Sequence, residues 1–245
     1  MSCFVLAIRP RRWHGATQHA AIAEARRIAH APSLVVSLSI GARVLSLVGD
    51  NAALDERANE LIGMAGEQGF PFWLAQGTTH HGWAKVNNGD TAAGIWLLRA
   101  GSSAFRAAGA ELMMPYYIAL LAKASEIAGQ LEEALVLLDD ALQIVERTEE
   151  RWFAAELNRL KGRLLLRQGH PESAEELYLK ALSIAREQQA KLWELRAAVS
   201  LAWLRRDQGR RAEARDLLAP VYSWFTEGFD TADLKEAKAL LDELG

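Results

Sequence analysis

Cysteine is nearly missing from this chain of 245 residues; the one present is Cys3. A lone thiol excludes an internal disulfide and any zinc cluster built on cysteines, and it suits a reducing compartment, so the cytoplasm is the expected location. Excess charge is missing too: 28 Lys and Arg against 31 Asp and Glu leave −3. Without a broad basic field there is little to drive non-specific nucleic-acid binding, and nucleic acid is not an expected partner. No uninterrupted run approaches the roughly 18 to 20 apolar residues of a membrane-spanning helix. Residues 1–12 place their positive charge after a short apolar run, the reverse of a secretory signal. A membrane is therefore not an expected partner either.

Catalytic motifs are likewise absent. The chain has no G-x-x-x-x-G-K-[ST], G-x-G-x-x-G, H-E-x-x-H or G-x-S-x-G. His80 and His81 are adjacent, so on a helix they point about 100° apart and cannot share one metal ion. The carboxylate pairs Glu132-Glu133, Asp139-Asp140, Glu149-Glu150 and Glu175-Glu176 lie among Lys and Arg, as a solvated helix face does. The expectation is a non-enzymatic protein with no catalytic residue, no metal site and no cofactor.

What the chain does have is a repeat. Gly49, Gly89, Gly129, Gly169 and Gly209 recur every 40 residues, each between two helical patterns. The unit around Glu111 reads as a helix over 112–128, a Gly129-Gln130 turn and a helix over 131–148. A fixed period in this range with two helices per period marks an α-solenoid, in which each helix pair buries its apolar face against its neighbours. In phase lie Ala42, Gly82, Ala122, Gly162 and Ala202; twelve residues on, Leu54, Gly94, Ala134, Ala174 and Ala214; seven further, Leu61, Gly101, Ala141, Ala181 and Val221. Most are small, which lets helices approach until ridges sit in grooves. Leu97, Leu137, Leu177 and Leu217 are expected to fill the space between layers, and Trp73, Met113, Phe153 and Trp193 to form a repeated contact.

The spacing of twelve and then seven resembles the tetratricopeptide repeat (TPR), over about 33–228 and with a period of 40 in place of 34. The resemblance implies an all-α, right-handed α-α superhelix of five to six antiparallel helix pairs. Segments such as Gly69-Phe-Pro-Phe-Trp-Leu-Ala and Glu156-Leu-Asn-Arg-Leu-Lys-Gly162 are also similar to the C-terminal helical region of bacterial class III adenylate/guanylate cyclase–ATPase proteins and related transcription regulators. The chain is read as one repeat domain, with an irregular edge at 1–32, repeats over 33–228 and a capping helix within 229–245. In that cap, Asp230 is the expected N-cap, Leu234, Ala237, Leu241 and Leu244 face inward, and Asp233, Glu236, Lys238, Asp242 and Glu243 face out.

Projecting the repeat phase onto the first helix of each pair gives an inner face with Arg43, Gln76, Trp83, Tyr116, Lys123, Glu156, Arg159, Arg163, Arg196, Trp203 and Arg206. Guanidinium groups bind carboxylates bidentately and aromatics carry much of the energy of an interface. The expected partner is a protein segment, an acidic or C-terminal peptide held in this groove. The alternative is a regulatory module of a nucleotide-cyclase or transcription-control system acting on a separate catalytic chain. The alanine-rich first helix, with Ala20, Ala21, Ile22, Ala23 and Ala25, is a further expected edge for homo-oligomer formation.

Overall fold

The computed structural model describes residues 11–109 and 111–245, with side chains from residue 19 onward. Among the described residues there are twelve helices and no strand: α1 Arg11–Arg27, α2 Ala31–Val48, α3 Asn51–Glu67, α4 Pro71–Asn87, α5 Thr91–Ala107, α6 Met114–Ile127, α7 Leu131–Thr148, α8 Ala154–Arg167, α9 Pro171–Glu187, α10 Lys191–Asp207, α11 Arg211–Ser223 and α12 Ala232–Leu244. Consecutive helices pack in pairs, α2/α3 and α4/α5 in the first part of the chain and α8/α9 and α10/α11 in the second, with α1 and α12 first and last in the order. The fold class is the all-α, TPR-like solenoid expected from the repeat. Backbone proximity divides it into two compact units, Arg12–Leu137 and a second one built on Leu138–Gly245, with the division inside α7.

Glycine explains the pairing within each unit. A Cβ on Gly82 of α4 would stand 2.8 Å from Leu97 Cβ and 2.9 Å from the backbone of Gly94 and Leu98 on α5. Gly101 meets Ala75 and Thr79, so rising numbers on α5 face falling numbers on α4, and the pair is antiparallel. In the second unit Gly162 of α8 faces Ala174 and Tyr178 of α9. Asp50 and Asp90 cap α3 and α5 by accepting from the amides of Ala53 and Ala93, satisfying donors that a helix start leaves open.

The turns keep a stricter cadence than the sequence displayed. Left-handed backbone occurs at Ala29, Gly49, Gly69, Gly89, Gly109, Gly129, Glu149, Gly169, Gln189 and Gly209, every 20 residues. Each of α1 to α10 ends one or two residues before such a position, which lets the chain reverse.

Several details differ from expectation. Of the edge at 1–32, residues up to 10 lie outside the described ones; within the rest, where the sequence places a helix over 17–29, α1 is a helix whose Ile22 and Ala25 are buried with Leu34, Val35 and Leu38. The layers are filled by Leu98, Leu138, Tyr178 and Leu218, one residue after the expected set. These stand four residues beyond the small residues at 94, 134, 174 and 214, on the same helix face, whereas a spacing of three leaves the side chain at the flank. On α12 the fully buried leucine is Leu240, with Leu241 partly buried. Thr231, with no side-chain cap bond, stands at the start of that helix where Asp230 was expected. Helix α11 contains Pro220 and ends at Ser223.

One helix, α2, is long and apolar enough by length and composition to cross a membrane, with a mean hydropathy of 1.7. Its apolar run is not continuous, because Ser33, Ser37, Ser39, Arg43 and Ser46 break it. In the structure α2 lies against α3 and α4, and Leu34, Val35, Leu38, Ser39, Gly41, Ala42 and Leu47 are buried.

Candidate functional site

In the unit Arg12–Leu137 the predicted inner-face residues come from α2, α4 and α6. Packing of α4 against both neighbours buries more of them than the phase suggested. Gln76 is 2% exposed, Trp83 5% and Tyr116 0%, while Arg43 and Lys123 are half-buried. The buried polar atoms form a network. Ser39 donates to Gln76 Oε1. His80 Nδ1 lies 2.9 Å from the Gln76 carbonyl and its Nε2 3.3 Å from the Tyr116 hydroxyl, which also meets Ser46 Oγ.

That geometry suits a neutral imidazole, donating from Nδ1 and accepting at Nε2. Burial, aided by the nearby Arg43 charge, pushes the His80 pKa down to about 3. Burial also pushes the Tyr116 hydroxyl up to about 12, against the opposing influence of Ser46 and Arg43. Both groups stay uncharged across the physiological range. His81 points elsewhere, with Nδ1 2.7 Å from Asp55 Oδ1.

Two cations complete this face. Lys123 Nζ sits 4.4 Å from the centroid of the Trp83 ring. Arg43 has a buried Nε without a hydrogen-bond partner, and among the described residues no carboxylate lies within 4 Å of its guanidinium. A half-buried guanidinium in this condition is costly unless an anion arrives.

The second unit arranges its basic residues differently. Arg159 on α8 donates from Nε and Nη2 to the two oxygens of Glu156, both at 2.7 Å. Arg196 on α10 donates to Asp233 on α12 at 2.7 and 2.9 Å and approaches Glu156 at 3.6 Å. Arg206 stacks 3.9 Å from the Trp203 ring centroid and donates to Asp207 and Glu243. Burial works against the charge on Arg159 and Arg196, yet Glu156 and Asp233 outweigh it and hold both pKa values above the ordinary range. Arg163 is half-buried on the same helix as Arg159.

These carboxylates bear on two readings. Asp233, expected to face out, is half-buried against Arg196, while Glu236 and Glu243 are exposed as expected and still meet the Trp203 indole N–H and Arg206. Of the two counter-charges the sequence allows for Arg159 and Arg196, Glu156 or an acidic partner, the fold supplies Glu156, and Arg206 is likewise paired within the chain. The signal was present in the repeat phase, since α12 stands where the first helix of another pair would and its acidic residues fall in the inner row.

From the sequence His80 is excluded only from sharing a metal ion with His81, and its buried network cannot be seen there because Ser46 and Tyr116, on different helices, are 70 residues apart. Among the described residues no group of His, Cys, Asp and Glu is arranged to hold a metal ion.

The tetratricopeptide repeat family matches residues 115–187. An uncharacterized protein of Rhizobium meliloti (strain 1021) is 29% identical over 181 residues, 74% of this chain and 18% of that protein. The chain thus spans under a fifth of the length of this curated relative. Among solved structures, Bacillus thuringiensis PlcR, in complex with the peptide PapR7 and DNA, is similar at a TM-score of 0.70 and 13% identity, covering 86% of this chain and 73% of that one. The apo form of the quorum sensor NprR from B. thuringiensis is similar at 0.67 and 17%, covering 95% and 66%. These likenesses concern the fold.

Proposed function

We propose that the protein is a non-catalytic interaction module that captures a partner segment, an acidic or C-terminal peptide, on the inner face of α2, α4 and α6. The observation that carries this is Arg43: a half-buried guanidinium on that face with no carboxylate of the described chain within 4 Å. Every hydrogen-bond donor of the fork that the chain leaves unspent is capacity for a carboxylate, and the pairing is bidentate when geometry permits. Val36 and Ile40, two turns and one turn before Arg43 on α2, are exposed and give the peptide an apolar contact beside the charge. The PlcR complex with the peptide PapR7 and DNA supports peptide capture as a use of this fold.

The test is a fluorescence-anisotropy screen of labelled peptides with free and with amidated C-termini, run on the full chain and on Arg43→Glu. Preference for free or acidic C-termini, lost in the variant, is the expected result. Equal binding by the parent and Arg43→Glu would remove the inner face of α2 from the assignment.

A second reading, a regulatory module of a cyclase or transcription-control system, draws on one observation: the Rhizobium meliloti relative carries the matched region within a chain more than five times its length. Co-purification of the chain with a cyclase or ATPase subunit from its native cell is the corresponding test.

A further inference from the structure

A cavity of about 420 Å³ opens in the second unit where the ends of α7 and α9 meet the starts of α8 and α10. It lies within the range of small-molecule sites, and none of its lining residues belongs to the predicted inner face. Its wall is apolar, with Leu142, Val145, Ala154 and Ile184 and the rings of Trp152 and Trp193.

The hydrogen-bond capacity of the lining decides what fits. The donors of the two indoles are spent, Trp152 Nε1 on Glu150 at 2.8 Å and Trp193 Nε1 on the Trp152 carbonyl at 3.1 Å. The Gln188 amide donates to the Arg151 carbonyl at 2.8 Å. Asn158, also in the wall and only 1% exposed, donates from Nδ2 to the Ala154 carbonyl at 2.8 Å, which fixes its other atom as the acceptor. That Oδ1 is buried and has no donor. A buried acceptor left unmade costs on the order of 1–3 kcal/mol, so it is a standing invitation to a donor. Around the cavity, exposed Glu146, Glu149 and Glu187 outnumber Arg151 and Lys180, and none of the five has an ion-pair partner among the described residues.

We infer that this cavity is a binding site for a small organic ammonium with an aromatic or branched apolar body, the body against Trp152 and Trp193 and an N–H of the cation donated to Asn158 Oδ1. An anion of the same shape brings no donor to Asn158 and meets the acidic excess of the mouth. A neutral alcohol brings the donor without the charge.

The experiment is calorimetric titration of the full chain with 2-phenylethylammonium, 2-phenylethanol and 3-phenylpropionate, with the indole N–H resonances of Trp152 and Trp193 followed by NMR. The ammonium is expected to bind with a Kd near a millimolar, the scale a ligand of so few atoms allows. It should shift both indole signals, with the alcohol weaker and the carboxylate silent. Asn158→Leu should weaken the ammonium about tenfold, as loss of a hydrogen bond to a charged group does. Ile184→Trp, which fills the cavity from a half-buried position, should abolish binding. The inference is overturned if the carboxylate binds as well as the ammonium, if none of the three shifts the two indoles, or if Asn158→Leu and Ile184→Trp both retain the parent affinity. Because Arg43 lies in the other unit, Arg43→Glu should leave this titration unchanged.

Discussion

Glu156 and Arg159, one turn apart on α8, form a two-point ion pair with both N–O distances at 2.7 Å, and the Glu156 side chain is only 3% exposed. The same carboxylate stands 3.6 Å from Arg196, so one buried anion separates two guanidinium groups that would otherwise face each other. What the sequence presented as a basic surface is, in the fold, a neutralised seam between α8, α10 and α12.

Removing that anion has a large expected cost. Glu156→Ala leaves Arg159 buried without its partner, and breaking a buried pair from one side typically costs about 3–5 kcal/mol. Urea unfolding monitored by circular dichroism measures this directly. A loss under about 1 kcal/mol would mean that water reaches the two arginines and replaces the carboxylate.

Two glycines at equivalent repeat positions should answer differently to alanine. At Gly82 the added Cβ meets backbone atoms of Gly94 and Leu98 at 2.9 Å, and backbone cannot step aside. At Gly162 the nearest atom is Tyr178 Cε1 at 2.8 Å, on a ring that can shift. Gly82→Ala should therefore cost about 1–3 kcal/mol and Gly162→Ala measurably less. Equal midpoints in guanidinium would show that the α4/α5 and α8/α9 crossings are equally compliant.

Gln189 has φ +53°, a conformation that costs a side chain with a Cβ about 1–2 kcal/mol. Gln189→Gly relieves this strain and gives part of it back through the freer unfolded chain. A net gain of about 0.5–1 kcal/mol is expected in the same denaturant assay. Destabilisation by glycine would show that the Gln189 side chain makes a contact worth more than its strain.

His80 should make the protein acid-sensitive. Its pKa is lowered from 6.5 to about 3 in the fold, so between those values the unfolded chain binds the proton and the folded one does not. Stability from this residue is whole above about pH 6.5 and is lost progressively as pH falls toward 3. From pH 7 to 4.5 the parent should lose about 2–3 kcal/mol more than His80→Gln, whose side chain does not titrate. Parallel stability curves for the two proteins over that range would show that His80 is hydrated and titrates normally.

The sequence by itself determined the repeat, the number of helices and the places where they touch. Those follow from local rules: a glycine every 40 residues turns the chain, and small residues at intervals of twelve and seven can only serve close helix crossings. Where the turn residue is Ala29, Glu149 or Gln189 the sequence carried no such mark, since the residue type does not favour left-handed backbone; at Ala29 and Gln189 helix-end bonds such as His30 N–H to the Ala25 carbonyl and Ala190 N–H to the Ala185 carbonyl close the turn. Only the tertiary structure decided which polar residues were already spent. Arg159, Arg196 and Arg206 find acids on their own or neighbouring helices, and Ser46, His80 and Tyr116 join across three. Arg43 and Asn158 are left with unmatched atoms. Periodicity fixes which face a residue occupies, but the charge or hydrogen bond that meets it depends on distances between helices that no linear pattern encodes.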